Sequence, residues 1–267
     1  MKVISKTRKA HSWNEDRFIN GKNFNIVLDG ATPLVKDKNF NSARWMVEYI
    51  KKHINRYGGG IKERFTALCR DAYMDLPVKE KSAAAMPSAS ACWAEFDGDR
   101  LRIGVLGDCE ATVIKKDGSI VRCFCGDVAR LDAVAIEKLK EICKQKGATD
   151  IIGSRRFIDD ILIEHRNLIN KDGGYSALTL SENPVINEKT FLLDVGEISK
   201  VYLYSDGFSQ AFEHLQIYEN HIEMFSQIDD IKEEIAKIAV TSYSDRLGTK
   251  YPRFKIIDDI TVTEITL

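Results

Sequence analysis

Residues 90–125 read SACWAEFDGDRLRIGVLGDCEATVIKKDGSIVRCFC, and this stretch decides the fold class. Short apolar runs are broken by Asp97-Gly98 and Asp117-Gly118. Such dipeptides suit two-residue hairpin turns that need positive φ, so the segment is predicted to be an antiparallel meander. Upstream, 18–20 and 24–28 read as short strands around the turn Asn20-Gly21-Lys22-Asn23. Between these strands and the meander, Ala43, Met46, Val47, Ile50 and Ile54 fall on one helical face, which ends at Gly58-Gly59-Gly60. A second helix is expected over 61–74. Downstream, helices are predicted at 129–147, 155–168, 208–215 and 229–240, with strands at 191–193, 201–205 and 254–266.

Blocks of helix and blocks of antiparallel strand, without strict alternation, predict an α+β layered fold. No Pro/Ser-rich linker or repeat divides the 267 residues, so 1–267 is read as one domain, with a core large enough to need no staple. Thirty-nine Lys+Arg against 40 Asp+Glu leave a formal net charge of −1. That balance offers no cationic field for nucleic acid or an anionic membrane surface. The opening MKVISKTRKAHSWNED lacks an apolar core of the signal type, and no run reaches the roughly 18 apolar residues of a membrane span. A cytoplasmic location is expected. The six cysteines include no CxxC pair, and reduced, mostly buried thiols are predicted.

Several site types are set aside. Gly58-Gly59-Gly60-Ile61-Lys62 lacks the spacing of a P-loop, and Gly174-Tyr175-Ser176-Ala177-Leu178 lacks the second glycine of a nucleophile elbow. Asp37, Asn39, Asn41 and Glu48 imitate a calcium loop, but Ser42 stands where the sharp turn needs glycine. Helix capping by Asn39 or Asn41 is the expected role there.

A recurring layout remains, in which an apolar strand runs into an aspartate. It occurs at Ile26-Val27-Leu28-Asp29-Gly30, at Val201 to Gly207 through Asp206, and at Phe254 to Asp259 through Asp258. Glu15-Asp16 precedes the first strand, and Asp108 comes after Leu106-Gly107 in the meander. Asp-Gly is also an ordinary turn, as at 97–98, 117–118 and 172–173. Asp29-Gly30 and Asp206-Gly207 differ in their sequel, since neither leads back into a paired strand. Carboxylates gathered in a partly buried place need raised pKa values or cations among them. No lysine or arginine is placed regularly beside these aspartates, so metal is the economical expectation. All-oxygen ligation suits Mg²⁺ or Mn²⁺ and disfavours zinc. Two such ions sharing an aspartate could activate a water for attack on a phosphate ester.

Asn14-Glu15-Asp16, Val27-Leu28-Asp29-Gly30, Ser88-Ala89-Ser90-Ala91, Leu106-Gly107-Asp108, Tyr204-Ser205-Asp206-Gly207-Phe208 and Asp258-Asp259-Ile260-Thr261-Val262 fall in one order along the chain. That order resembles the metal-dependent serine/threonine phosphatases of the 2C type. The resemblance implies a four-layer α-β-β-α sandwich of two antiparallel sheets flanked by helices, with a dinuclear Mn²⁺/Mg²⁺ centre at one end. It implies that Asp29 bridges both ions, that Asp206 and Asp258 complete one, and that Glu15, Asp16 and the Gly30 carbonyl serve the other, partly through water. It assigns Asp108 to a third ion and 127–170 to a variable flap, and makes the substrate a phosphorylated protein. Two departures stand out. Asp29-Gly30 is followed by Ala31-Thr32, without the histidine often proposed as general acid, and His11 stands where relatives place a phosphate-binding arginine. Histidine is shorter and less firmly charged than a guanidinium, which makes it a weaker anchor. His11 and nearby Arg8 are the phosphate-binding candidates, and His11 joins Asp29 as a catalytic one. The departures also leave open a non-catalytic signalling module or a hydrolase of small phosphorylated metabolites. Arg155-Arg156 in the flap is expected to face solvent.

Overall fold

The computed structural model describes residues 1–35, 42–76 and 82–267. Asp37, Asn39 and Asn41, and with them the calcium-loop and capping expectations, lie outside the described residues. The cap seen on the first helix is Ser42, whose Oγ accepts from the Trp45 N–H at 3.2 Å.

Eleven strands among the described residues build two antiparallel sheets. In the first, β1 (Lys2–Arg8), β11 (Ile260–Thr266), β10 (Ile198–Tyr204), β6 (Glu110–Lys115) and β7 (Ile120–Cys123) lie side by side in that order. In the second the order is β2 (Arg17–Asn20), β3 (Phe24–Ala31), β4 (Ser88–Asp97), β5 (Arg100–Leu106) and β9 (Lys189–Asp194), with the two-residue β8 (Leu178–Thr179) also paired to β4. The meander is β4 to β7, and Gly98 and Gly118 carry the positive φ its hairpins need, +60° and +85°.

Alternation along the strands sorts side chains between two cores. Val27, Cys92, Ile103, Val113, Val201, Leu203 and Ile265 pack between the sheets. The opposite face of the second sheet, through Ile26, Leu28 and Trp93, is covered by α1 (Ala43–His53) and α2 (Ile61–Met74). The opposite face of the first, through Tyr202, Tyr204, Ile260 and Val262, is covered by α5 (Asp206–Glu213), α6 (His221–Gln227) and α7 (Ile231–Ser244). The architecture is the expected α-β-β-α sandwich. Both faces of the central strands are covered, so those strands read as apolar runs instead of strict alternation.

Two further helices stand apart from these layers. α3 (Asp127–Lys146) and α4 (Asp159–Asn167) share a small core of Ala135, Leu139, Cys143, Ile158 and Leu162. A 3-10 turn at Arg155–Ile158 occupies the start of the helix expected over 155–168. The cysteines are all free, and only Cys125 is not fully buried.

Three expectations are corrected. The first strand, Lys2–Arg8, lies where none is expected, because its polar alternation KVISKTR carries little apolar signal. α6 is likewise an addition. Conversely, 254–259 is no strand: Phe254, Ile256 and Ile257 form a loop, and β11 begins at Ile260. The loop is held from below by Arg253, which is buried against Asp245 at 3.2 Å and donates to the carbonyls of Ser242, Asp245, Tyr251 and Ile256. Ile257 is therefore buried without a ladder.

Candidate active site

Asp29 lies within β3, opposite Ser90 of β4. Asp206 occupies the first turn of α5, directly after β10. Asp108 sits in the turn between β5 and β6, where its N–H reaches the Ser90 Oγ at 3.3 Å. Asp258 comes from the loop before β11. Four segments remote in sequence thus bring their carboxylates to the wall of one cavity of about 560 Å³, together with His11, Glu15 and Gly30. Helices α3 and α4 form the facing wall through Leu131, Asp132, Ile136, Leu162 and Arg166.

The glycines after Asp29 and Asp206 are not turn glycines. A Cβ on Gly30 would stand 2.8 Å from the Glu15 carbonyl oxygen, and one on Gly207 would overlap the Asp259 carbonyl. In both places the residue lets two backbones approach closely. By contrast, Gly98, Gly118 and Gly173 have open space and positive φ.

Asp16 lies just beneath the cavity, fully buried, and its Oδ2 accepts from the Ser205 Oγ at 2.7 Å. Asp259 does structural work at the same place: its two oxygens accept from the Ala10 and Glu15 N–H groups, each at 2.6 Å, and so pin the 10–15 loop. Glu15 Oε1 in turn accepts from the Thr32 hydroxyl at 2.5 Å. His11 is exposed at the rim. Arg8 is exposed at the end of β1 and does not line the cavity.

Burial and crowding dominate the electrostatics. Burial, then the charges of Asp16, Asp206, Asp108 and Asp258, hold the Asp29 carboxyl well above the usual range. Burial and Asp258 do the same to Asp206. Burial pushes Asp16 up to about 8, against the opposing Ser205 hydrogen bond. Asp108 is raised by burial, and Asp132 by burial and then by Asp108, to about 7.

Lys255 departs from the expectation that no cation pairs these aspartates. Its Nζ lies 2.5 Å from Asp258 Oδ2, three residues along the loop. Asp132, Arg166 and Tyr175 also line the cavity, and the sequence does not single them out. Arg166 donates to the Ala31 carbonyl at 3.1 Å and the Ser88 hydroxyl at 3.0 Å. Arg155 lines the cavity instead of facing solvent alone, while also lying 3.5 Å from Asp159. No local motif marks these residues, because they reach the cavity through the packing of α3, α4 and the 251–258 loop.

The donor set is oxygen throughout, which suits hard divalent ions. The Asp206 Oδ1 is buried with no hydrogen-bond partner, as a ligand atom awaiting a cation would be. Among the described residues, however, no three His, Cys, Asp or Glu side chains are already drawn together closely enough to hold an ion. The residues fit such ions by type.

No family model matches the sequence, and neither does any curated protein sequence. Solved structures do share the fold. The serine/threonine phosphatase Stp1 from Staphylococcus aureus aligns over 100% of this chain and 94% of its own, with a TM-score of 0.54 and 9% identity. The Mycobacterium tuberculosis serine/threonine phosphatase PstP/Ppp aligns over 100% and 98%, at 0.53 and 14%. The catalytic domain of PstP in complex with two manganese ions aligns over 98% and 96%, at 0.51 and 15%. The fold is therefore that of the bacterial serine/threonine phosphatases, in accord with the motif order. At these identities the similarity extends to the fold alone.

Proposed function

We propose that the chain is a Mn²⁺/Mg²⁺-dependent phosphatase of the 2C type that hydrolyses phosphoserine or phosphothreonine in a protein partner. The observation that carries the reading is the arrival of Asp29, Asp108, Asp206 and Asp258 at one cavity of a fold shared with serine/threonine phosphatases. Asp29, Asp206 and Asp258 would hold one ion. Glu15, Asp16 and the Gly30 carbonyl would serve a second with Asp29 between them, and Asp108 would serve a third. When bound, the ions supply Lewis-acid polarisation of the phosphoryl oxygens and an acidified water nucleophile.

The remaining work belongs to the chain. Asp29 and Asp206, whose carboxyls burial and crowding hold above the usual range, would have to be ionised to ligate, because metal-binding carboxylates bind in their charged form. Asp259 and Thr32 fix the loop that carries His11 and Glu15. His11 at the rim takes the place of the family's arginine, donating to a phosphoryl oxygen or to the leaving alkoxide. Its reach is shorter, so substrate binding is weak unless the partner supplies further contacts. The α3–α4 wall, the flap in this reading, presents Leu131, Ile136 and Leu162 beside Arg155 and Arg166 to the substrate's backbone and flanks.

The test is a panel of phosphopeptides, sugar phosphates and nucleotides with metal-free chain and added Mn²⁺. Phosphopeptide hydrolysis that EDTA abolishes, Mn²⁺ restores and Asp29→Asn reduces by at least about 100-fold is expected. Full activity in Asp29→Asn would sink the assignment. A non-catalytic module is the second reading, favoured by the carboxylates' not yet being gathered for an ion. No Mn²⁺ uptake by calorimetry would select it.

A further inference from the structure

The 251–258 loop puts an ammonium into an acidic cavity. Arg253, buried and satisfied by Asp245 and four carbonyls, ties the loop to the end of α7. Two residues on, Lys255 is therefore not a free surface side chain, although 55% of it remains accessible to solvent. Its Nζ contacts Asp258 and feels Asp206 and Asp29 as its next attractive neighbours. Among the described residues this is the one ion pair made to any of the four cavity aspartates. The other cations of the wall are engaged elsewhere, Arg166 by Ala31 and Ser88, Arg253 by Asp245, and Arg155 near Asp159.

We infer that Lys255 is a built-in counter-cation of the aspartate cluster, a positioning residue that neutralises Asp258 in the ion-free chain and competes with a divalent ion for that carboxylate. Asp258 cannot present Oδ2 to an ion and to Lys255 at once. A positive charge in the same cavity also repels an arriving dication. Loading therefore requires the Lys255–Asp258 contact to open, and the half-exposed stem of Lys255 gives it solvent to swing into. Metal affinity is set lower than the carboxylates alone would give, so occupancy becomes sensitive to the prevailing Mn²⁺ concentration. The inference rests on the proposed metal site and adds a regulatory group to it.

The test is calorimetric titration of Mn²⁺ into the full metal-free chain as wild type, Lys255→Met, Lys255→Gln and Lys255→Arg, with circular dichroism to check the fold. Removing the charge is expected to tighten the Mn²⁺ Kd by about ten-fold, the size of one screened contact near a surface. Lys255→Arg, which keeps the charge, should stay within about three-fold of wild type. Without metal the neutral variants should also melt lower than wild type, and Mn²⁺ should raise their melting temperature by more. An unchanged or weaker Kd in folded Lys255→Met or Lys255→Gln overturns the inference while leaving the phosphatase reading intact. Absence of Mn²⁺ binding in wild type and variants alike overturns both, and binding only in the neutral variants supports the lysine's role. Should Lys255→Met not fold without metal, Lys255→Gln carries the same comparison.

Discussion

Asp16→Asn tests the electrostatics of the cluster without reference to catalysis. The carboxyl is fully buried and raised to about 8, mainly by burial, from an ordinary value of 3.8. A folded-state value above the unfolded one means that the folded chain keeps its proton while the unfolded chain has already lost it. Stability is then full below about pH 4, falls as pH rises toward 8 and is level beyond. A rise of that size, at about 1.4 kcal/mol per pH unit, gives a ceiling of about 6 kcal/mol. Relaxation and water entry on ionisation reduce what is realised, and about 2–3 kcal/mol is expected. Asparagine keeps an oxygen for the Ser205 hydroxyl, now 2.7 Å from Asp16, and carries no charge to bury. Urea unfolding in EDTA at pH 5, 6, 7 and 8 should show wild type losing stability with pH and the variant losing about 2–3 kcal/mol less over that range. Parallel pH dependences would refute the account of a buried, proton-holding carboxyl beneath the cavity.

Three further substitutions probe the scaffold. Gly207→Ala should cost at least about 2–3 kcal/mol by thermal or urea unfolding, because the new methyl overlaps the Asp259 carbonyl across a backbone contact. Gly118→Ala, with open space but a φ of +85°, should cost only about 1 kcal/mol, and equal losses would contradict the close-approach role. Arg253→Leu leaves the Asp245 carboxylate and several carbonyls without their donor in a buried place. A loss of about 3–5 kcal/mol is expected in the same assay, and a loss under about 1 kcal/mol would mean that the 251–258 loop is held by something else.

The sandwich was largely legible in the chain. The Asp-Gly hairpins of the meander, the helical periods over 43–54 and 61–74 and the central apolar strands all rest on local preferences that burial on both faces reinforces. Where local signal and tertiary demand diverged, reading failed. KVISKTR became a strand because β11 offers it a ladder from Lys2 opposite Thr266 to Arg8 opposite Ile260. Ile256 and Ile257 became loop, with Arg253 donating to the Ile256 carbonyl that a ladder would otherwise pair.

The amino-acid order by itself determined the layered class and singled out Asp29, Asp108, Asp206 and Asp258, since hairpin turns and acidic residues beside apolar runs are local features. Only the tertiary structure decided the rest. It decided which glycines let backbones touch, that Asp16 lies beneath the cavity while Asp259 clamps a loop, and that α3 and α4 supply a wall with Asp132 and Arg166. It also set an ammonium against Asp258. These depend on how segments far apart in the chain, or folded back by a buried arginine, come to rest against one another, which no local pattern encodes.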